Sequence, residues 1–285
     1  MNHRVVKEQQ LLLIVVVYNI KISDLNIINQ NNFVKDKSID IFIYDNSKDP
    51  QSITDIDQMN LFYVHNSENP GVSKAYNAGI QKAKELNKKC VLLLDQDTEF
   101  NLSLLEEYTS LYEKYGDGYI YAPIICNQLC TKIYSPSIIN RFIGKVQKIE
   151  NFIYSEIYDI KNKSLINSGM MIPIKIVDTV GVFNENIQLD FSDYYFVEKY
   201  KHFNSNIILI NEKISHSLSG DEQKYFSKEM HRYIYYCIGA KELSKSLNVS
   251  THFAVVRRMI RLIIKYRHIK PITIFFLYYM KDNQL

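Results

Sequence analysis

Apolar and polar positions fall into alternating blocks along the first hundred residues. Leu11 to Tyr18 is an unbroken apolar run rich in β-branched residues. Runs of this kind suit a strand covered on both faces, as in a parallel sheet. A polar stretch follows with helical spacing of Ile22, Leu25 and Ile28. Ile39 to Tyr44 repeats the strand pattern and ends in Asp45-Asn46-Ser47, and Leu61 to Val64 is a third short strand. After the turn Asn69-Pro70-Gly71, residues Val72 to Leu86 predict a helix with Val72, Ala75, Tyr76, Gly79, Ile80 and Ala83 on one face. Cys90 to Leu94 is a fourth strand, ending in Asp95-Gln96-Asp97. Strand alternating with helix predicts an α/β fold with a doubly wound sheet. Ligands of such sheets bind beyond the carboxyl ends of the strands. Tyr18-Asn19, Asp45-Asn46-Ser47 and Asp95-Gln96-Asp97 all fall there.

Beyond residue 100 the pattern loosens. Leu102 to Tyr115 predicts a helix and Tyr119 to Cys126 a strand, while residues 127–165 fit neither period. Met170 to Pro173 is a short strand after Asn167-Ser168-Gly169. A short helix, Lys175 to Val180, stops at Gly181, and a longer one spans residues 190–203. Ile207 to Ile210 is a strand with Ser215-His216-Ser217 just past it. From Glu222 the pattern is helical to the end, with breaks near Asn248 and Pro271. The chain thus divides into an α/β part, residues 1–220, and a helical part, residues 221–285.

The 285 residues carry a formal net charge of +3, with 23% charged and 46% hydrophobic residues. This is an ordinary globular composition, which argues against disorder. No run of eighteen apolar residues predicts a membrane span. Cys90, Cys126, Cys130 and Cys237 lack the CxxC spacing of a zinc site and are expected as reduced thiols of a cytosolic protein.

Asp95-Gln96-Asp97 is the sharpest local feature. Two carboxylates with one residue between them at a strand end can converge on Mg2+ or Mn2+, which prefer oxygen ligands and bridge carboxylates to phosphates. The same triplet also occurs as a plain solvated loop. Asp45 can accept from the imide N–H of a uracil or thymine, or simply close an Asx turn. Asn69-Pro70-Gly71-Val72 leads into a helix whose N-terminus favours a phosphate, or is merely a turn before a helix. Asp190 and Asp193, three apart, share a helix face. Either can serve as general base toward a hydroxyl, or the pair can match the helix macrodipole. His216 is a candidate third metal ligand or an ordinary histidine.

Taken in this order, the motifs resemble glycosyltransferase family 2, and within it the bacterial rhamnosyltransferase-like branch. The resemblance covers roughly residues 11–220. It rests on Val17-Tyr18-Asn19, Asp45-Asn46-Ser47, the segment Glu68 to Gly79, Leu93 to Thr98, Ser168-Gly169, and Gly181-Val182-Phe183-Asn184-Glu185 leading to Asp190 and Asp193. It implies a GT-A fold, with a nucleotide-sugar-binding half near residues 11–100 and an acceptor-binding half near 101–220. It also implies a dTDP- or UDP-sugar donor, a Mn2+ or Mg2+ cofactor and inversion at the anomeric carbon. Carried over, Val17, Tyr18, Asn19, Asp45, Asn46, Asn69, Gly71, Val72, Lys74, Ala75, Asn77, Asp95 and Gln96 line the donor. Asp97, His216 and Asp95 hold the metal. Asp193 is the base and Asp190 its rival or an acceptor contact. The chain departs from the family where Tyr194-Tyr195-Phe196 follows Asp193 without a second acid, which bears on acceptor recognition.

Residues 252–280 interleave Arg257, Arg258, Arg261, Lys265, Arg267 and Lys270 with Val255, Met259, Ile260, Leu262, Ile263 and Ile264. A basic amphipathic helix of this kind fits an anionic membrane surface, or packs on protein, the same domain or a second copy in a homodimer. No nucleic-acid motif accompanies it. The expectation is a cytoplasmic enzyme, peripheral at the inner face of the cell membrane, acting on a glycan or polyprenyl-diphosphate-linked acceptor. A nucleotide-sugar-binding scaffold without turnover is the competing function.

Overall fold

In the computed structural model, residues 10–29, 39–52, 60–98, 102–127, 129–140, 145–147, 149, 152–215, 225–247 and 249–281 are described. Strand β1 (Leu11–Val17) runs through the middle of the main sheet with every residue buried. Leu12, Ile14 and Val16 face one side, and Leu11, Leu13, Val15 and Val17 the other. Both faces are covered, so the run shows no apolar–polar alternation. Each fully buried Leu, Ile or Val contributes about 1.5–3 kcal/mol over an exposed one.

Strand β1 pairs in parallel with β2 (Asp40–Asp45) on one side and β4 (Cys90–Asp95) on the other. Strand β3 (Asn60–His65) continues the parallel part beyond β2. Past β4 the sheet becomes mixed. With β5 (Tyr121–Cys126), β9 (Ile157–Asp159), β11 (Met170–Pro173) and β12 (Asn206–Ser215), the order is β3-β2-β1-β4-β11-β5-β12-β9. Strand β6 (Ile133–Ser135) pairs with β5. The stretch that the periodicity left unassigned also supplies a small antiparallel sheet of β7 (Ser137–Asn140), β8 (Lys145–Gln147) and β10 (Lys163–Ser164). Its strands of two to four residues are too short to show a period.

Helix α1 (Asn26–Asn29) and α3 (Leu102–Tyr115) cover one face of the main sheet. Helices α2 (Val72–Glu85), α4 (Ile174–Val180) and α5 (Ser192–Phe203) cover the other. A Cβ at Gly79 would come 2.5 Å from Ile14 Cδ1, so the glycine lets α2 lie directly on β1.

Helices α6 (Phe226–Leu247), α7 (His252–Tyr266) and α8 (Lys270–Ile274) follow, the last running into a π-helical turn, Phe275–Met280. They build a core of their own around Tyr233, Cys237, Val255, Leu262 and Phe275. The second break falls at Arg267, which takes a left-handed conformation (φ 50°), so Pro271 sits inside the first turn of α8 rather than ending a helix. Cys126 and Cys130, expected as reduced thiols, are joined in a disulfide, because the turn after β5 brings their Cα atoms to 5.0 Å.

Candidate active site

The carboxyl ends of β1, β2 and β4 are tied into one rim by hydrogen bonds between their loops. Asn46 N–H donates to Val17 O (2.9 Å), Tyr18 N–H to Gln96 Oε1 (2.8 Å) and Asn19 N–H to Ser47 Oγ (2.8 Å). Asp45 is fully buried beneath this rim. Its carboxylate accepts from Ser47 N–H (2.9 Å), Tyr63 O–H (2.8 Å) and Gln51 Nε2 (3.0 Å). Burial pushes the Asp45 carboxyl up, but the bonds from Ser47, Tyr63 and Gln51 outweigh it and hold the group below its ordinary value. Asp45 is therefore an anionic anchor for the loop, and a nucleobase reaching it would have to share these oxygens. The Tyr18 side chain stands open at 48% exposure. Asn46 buries its Oδ1 without a hydrogen-bond partner.

The turn Asp95-Gln96-Asp97-Thr98 is held by its last residue. Thr98 Oγ1 accepts from Asp95 N–H (3.0 Å) and bonds Ser168 Oγ (2.6 Å), while Thr98 N–H donates to Asp95 O (3.1 Å). Buried Ser168 is in turn fixed by Gly169, whose N–H donates to Leu93 O (2.8 Å). Asp97 is exposed and Asp95 half-buried. Tyr76 O–H, fully buried below, donates to Asp95 Oδ1 (3.4 Å). Its phenol is pushed well above the ordinary value by burial and then by the charges of Asp95 and Asp193. Asn167 lies against the same phenol and buries an Oδ1 without a partner.

Asp193 enters from the other half of the sheet, at the second residue of α5. Burial, followed by the charges of Asp95 and Asp190, raises its carboxyl to about 6, against the bond it accepts from Tyr194 N–H (2.7 Å). Asp190 does not share a helix face with it. Phe191 caps α5 in a left-handed conformation (φ 79°), so the helix starts only at Ser192 and Asp190 lies in the turn before it. Such a conformation costs a non-glycine residue about 1–2 kcal/mol. Asp190 instead accepts from Arg232 Nε (3.4 Å) and NH2 (3.2 Å), with Arg258 NH1 at 3.7 Å.

Several residues expected at the donor serve the scaffold. The side chains of Val17 and Ala75 are buried in the two core faces. Asn77 clamps the backbone of Phe183, accepting from its N–H and donating to its O (both 3.0 Å), and reaches Glu185 Oε1 (2.9 Å). The N-terminus of α2 is not open to a phosphate at Val72, whose N–H donates to Gln188 O (2.7 Å). Gly71 (φ 95°) permits this approach, since a Cβ there would come 2.2 Å from the same oxygen. Asn69 shapes the preceding turn, its N–H bonding Asn66 O (3.2 Å), and Lys74 is exposed. His216 lies outside the described residues. The structure thus puts Asp193 near enough to Asp95 for their charges to interact, with Asp97 in the same turn as Asp95 and Tyr18, Asn19, Asn46 and Gln96 on the rim. The sequence gives no sign of a place beside the site for Tyr76, Asn167, Gln188 or Arg232, and it marks Arg258 only as part of a basic helix face. Tyr76 stands inside the segment Glu68 to Gly79, where its spacing reads as an apolar helix position.

Among the described residues, no three His, Cys, Asp or Glu side chains converge to hold a metal. The donor set still fits Mg2+ or Mn2+, because Asp95 and Asp97 offer two hard oxygen donors in one turn. A cavity of about 350 Å³ opens at the opposite ends of β1 and β4, lined by Leu11, Lys89, Cys90 and Tyr112 among others. It gathers none of the expected residues.

The model of glycosyl transferase family 2 matches residues 20–181. The dTDP-rhamnosyl transferase RfbF of Shigella flexneri is 22% identical over 183 residues, which cover 63% of this chain and 59% of RfbF. The chain therefore spans about three-fifths of that relative's length. Among solved structures, S. aureus TarS 1-349 superposes with a TM-score of 0.53 at 14% identity, covering 93% of this chain and 89% of TarS. GalNAc-T7 with UDP, GalNAc and Mn2+ gives 0.55 at 11% identity, covering 90% and 56%. The mannosyltransferase PcManGT of Pyrobaculum calidifontis, in complex with GDP-Man and Mn2+, gives 0.53 at 10%, covering 89% and 69%. At these identities the shared feature is the fold, which is GT-A.

Proposed function

Since the chain belongs to glycosyl transferase family 2, we propose that it is a metal-dependent inverting transferase. It moves a sugar from dTDP-rhamnose or a UDP-hexose onto a hydroxyl of a glycan or polyprenyl-diphosphate-linked acceptor, in bacterial surface polysaccharide synthesis. The observation that carries this reading is Asp193, half-buried at the start of α5 and close enough to Asp95 to feel its charge.

Asp95 and Asp97, with His216, would hold the cation. When bound, Mg2+ or Mn2+ supplies positive charge against the departing diphosphate. The rim of Tyr18, Asn19, Asn46 and Gln96 takes the nucleotide, and the buried Oδ1 of Asn46 accepts a donor hydrogen bond that the protein does not provide. Asn167 does the same deeper, beside Tyr76. The acceptor hydroxyl lies between Asp193 and the anomeric carbon. As the acceptor oxygen bonds to that carbon and the bond to the diphosphate oxygen breaks, Asp193 takes the hydroxyl proton. A base raised toward neutrality suits this task.

The test is a panel of dTDP- and UDP-sugars followed by thermal shift and by transfer, with Mn2+ or Mg2+ and with chelator. One class of donor is expected to raise the Tm, since a ligand of the native state alone stabilises it, and chelator is expected to abolish transfer. Metal-independent transfer would overturn the cation role. Donor binding without hydrolysis or transfer to any lipid-linked or glycan acceptor would favour a scaffold.

The helical part is the membrane side of this reading. Between Leu243 and Lys281 the chain has no acidic residue. Ile260, Ile264, Ile269, Phe276, Leu277 and Met280 are exposed, and Arg261, Lys265, Arg267 and Lys270 are exposed among them. Among the described residues no helix is long and apolar enough to cross a membrane; in this reading the exposed basic and apolar face rests on an anionic bilayer surface. Ile264→Glu with Phe276→Glu is expected to lower co-sedimentation with phosphatidylglycerol vesicles at least about tenfold, because two apolar contacts are lost. Unchanged sedimentation would refute the lipid surface, and a switch from dimer to monomer would assign the face to a second copy.

A further inference from the structure

The turn that carries Asp193 into place is gripped from two sides. On the sheet side, Gln188 O accepts from Val72 N–H (2.7 Å), Ser73 Oγ donates to Ile187 O (2.5 Å), and Ser73 Oγ meets Ser192 Oγ at 2.7 Å. The other side is made by α6 and α7. Arg232 of α6 bonds both oxygens of Asp190, and Arg258 of α7 stands 3.7 Å from one of them. These side chains are all three-quarters or more buried. Arg258 lies over the Tyr236 ring at 4.2 Å, and Tyr236 packs on Phe191 at 4.7 Å. A Cβ at Gly239 would come 2.6 Å from Asp190 O, so α6 presses against the turn's backbone. Asn184 and Asn186 both reach Glu242 on α6 (3.4 Å).

This is more than helix docking needs. The contacts converge on Asp190 and on Phe191, the one residue between Asp190 and Ser192 and the one in a left-handed conformation. Rotation about that residue would change where Asp193 points. We propose that Arg232 and Arg258, acting through Asp190, are positioning residues for Asp193, so that α6 and α7 belong to the catalytic apparatus. The proposal rests on the reading of Asp193 as the base. It gives Asp190 a role other than proton acceptor, and it links occupancy of the α7 surface to the geometry of transfer.

The test uses the full chain and four variants: Arg258→Ala, Arg258→Lys, Asp190→Ala and the double variant Asp190→Ala with Arg258→Ala. Arg258→Ala is expected to lower kcat for transfer about tenfold, since a misplacement of about 1 Å can cost up to about 10², with donor KM unchanged within about twofold. Arg258→Lys keeps the charge and restores most of the rate. The double variant is expected to be no worse than the poorer single one, because both remove the same constraint. If the variants lose only Tm and active fraction, with kcat per folded molecule unchanged and the two losses additive, the ion cluster is only structural and the proposal fails. Should Arg258→Ala not fold, Arg258→Gln and Asp190→Asn give the same kcat-against-KM comparison. Asp193→Asn is run alongside. If it transfers normally, the base reading has failed, whereas an inactive Asp193→Asn beside fully active arginine variants sinks this inference alone.

Discussion

Asp193→Asn is expected to lower transfer by about 10² or more while leaving donor and metal binding in place. The change keeps the size of the side chain and removes the proton acceptor, and general-base loss falls on this scale. Its pH dependence follows from the environment. Burial and the charges of Asp95 and Asp190 raise the carboxyl from 3.8 to about 6. The active form is the carboxylate, so kcat rises with pH through an acid limb and levels above it. A cation at Asp95 and Asp97 would oppose part of the raise and move the limb to lower pH. Asp190→Asn is expected to be milder, because Asp190 is occupied by Arg232 and Arg258. Both variants need nucleotide-sugar affinity and transfer measured together. An inactive Asp190→Asn beside an active Asp193→Asn would make Asp190 the base.

Asp97→Ala is expected to remove most activity, by about 10²–10³, the scale on which loss of one charge-stabilising group lowers kcat. Asp97 sits exposed in a turn that its neighbours pin, Gln96 to Tyr18 and Thr98 to Asp95 and Ser168. Removing its carboxylate deletes one hard oxygen ligand while the bonds from Gln96 and Thr98 remain. Titration of donor binding with Mn2+ should therefore show a weaker metal dependence in a folded protein. His216→Ala is expected to act in the same direction but less strongly. A folded Asp97→Ala protein with near-wild-type turnover would disprove the metal assignment.

The parallel half of the fold was legible because its strands are covered on both faces. The run Leu11 to Tyr18 and its counterparts at Ile39 and Cys90 need no pairing information to be recognised. In the mixed half β5, β11 and β12 were legible too, but β6 to β10 are strands of two to four residues, too short to show a period. The same divide runs through the site. Asp95 and Asp97 announce themselves by ending an apolar strand, and a short motif places Asp193. Asn77, Gly71 and Val72 belong to an equally visible segment, yet their partners are Phe183 and Gln188, more than a hundred positions away. Spacing shows that such residues matter. Whether they hold a ligand or the chain itself depends on which segment folds back onto them. Asp190 is the extreme case, because a carboxylate three residues from a base looks like a second base until Arg232 and Arg258 arrive.

The two-sided grip on the Asp190 turn also orders events in time. Its sheet-side partners, Val72 and Ser73, lie 114–119 positions upstream by the bonds from Ser73, and its helical partners lie downstream, with Arg258 the last. During synthesis the rim of β1, β2 and β4 can close first, being built from the earliest residues and from mostly sequential strands. The turn carrying Asp193 must wait for a long loop to close onto α2, at an entropic cost that few local contacts offset. It reaches its final setting only after α7 has emerged. The nascent chain thus acquires the frame of its donor rim well before the geometry of its proton acceptor.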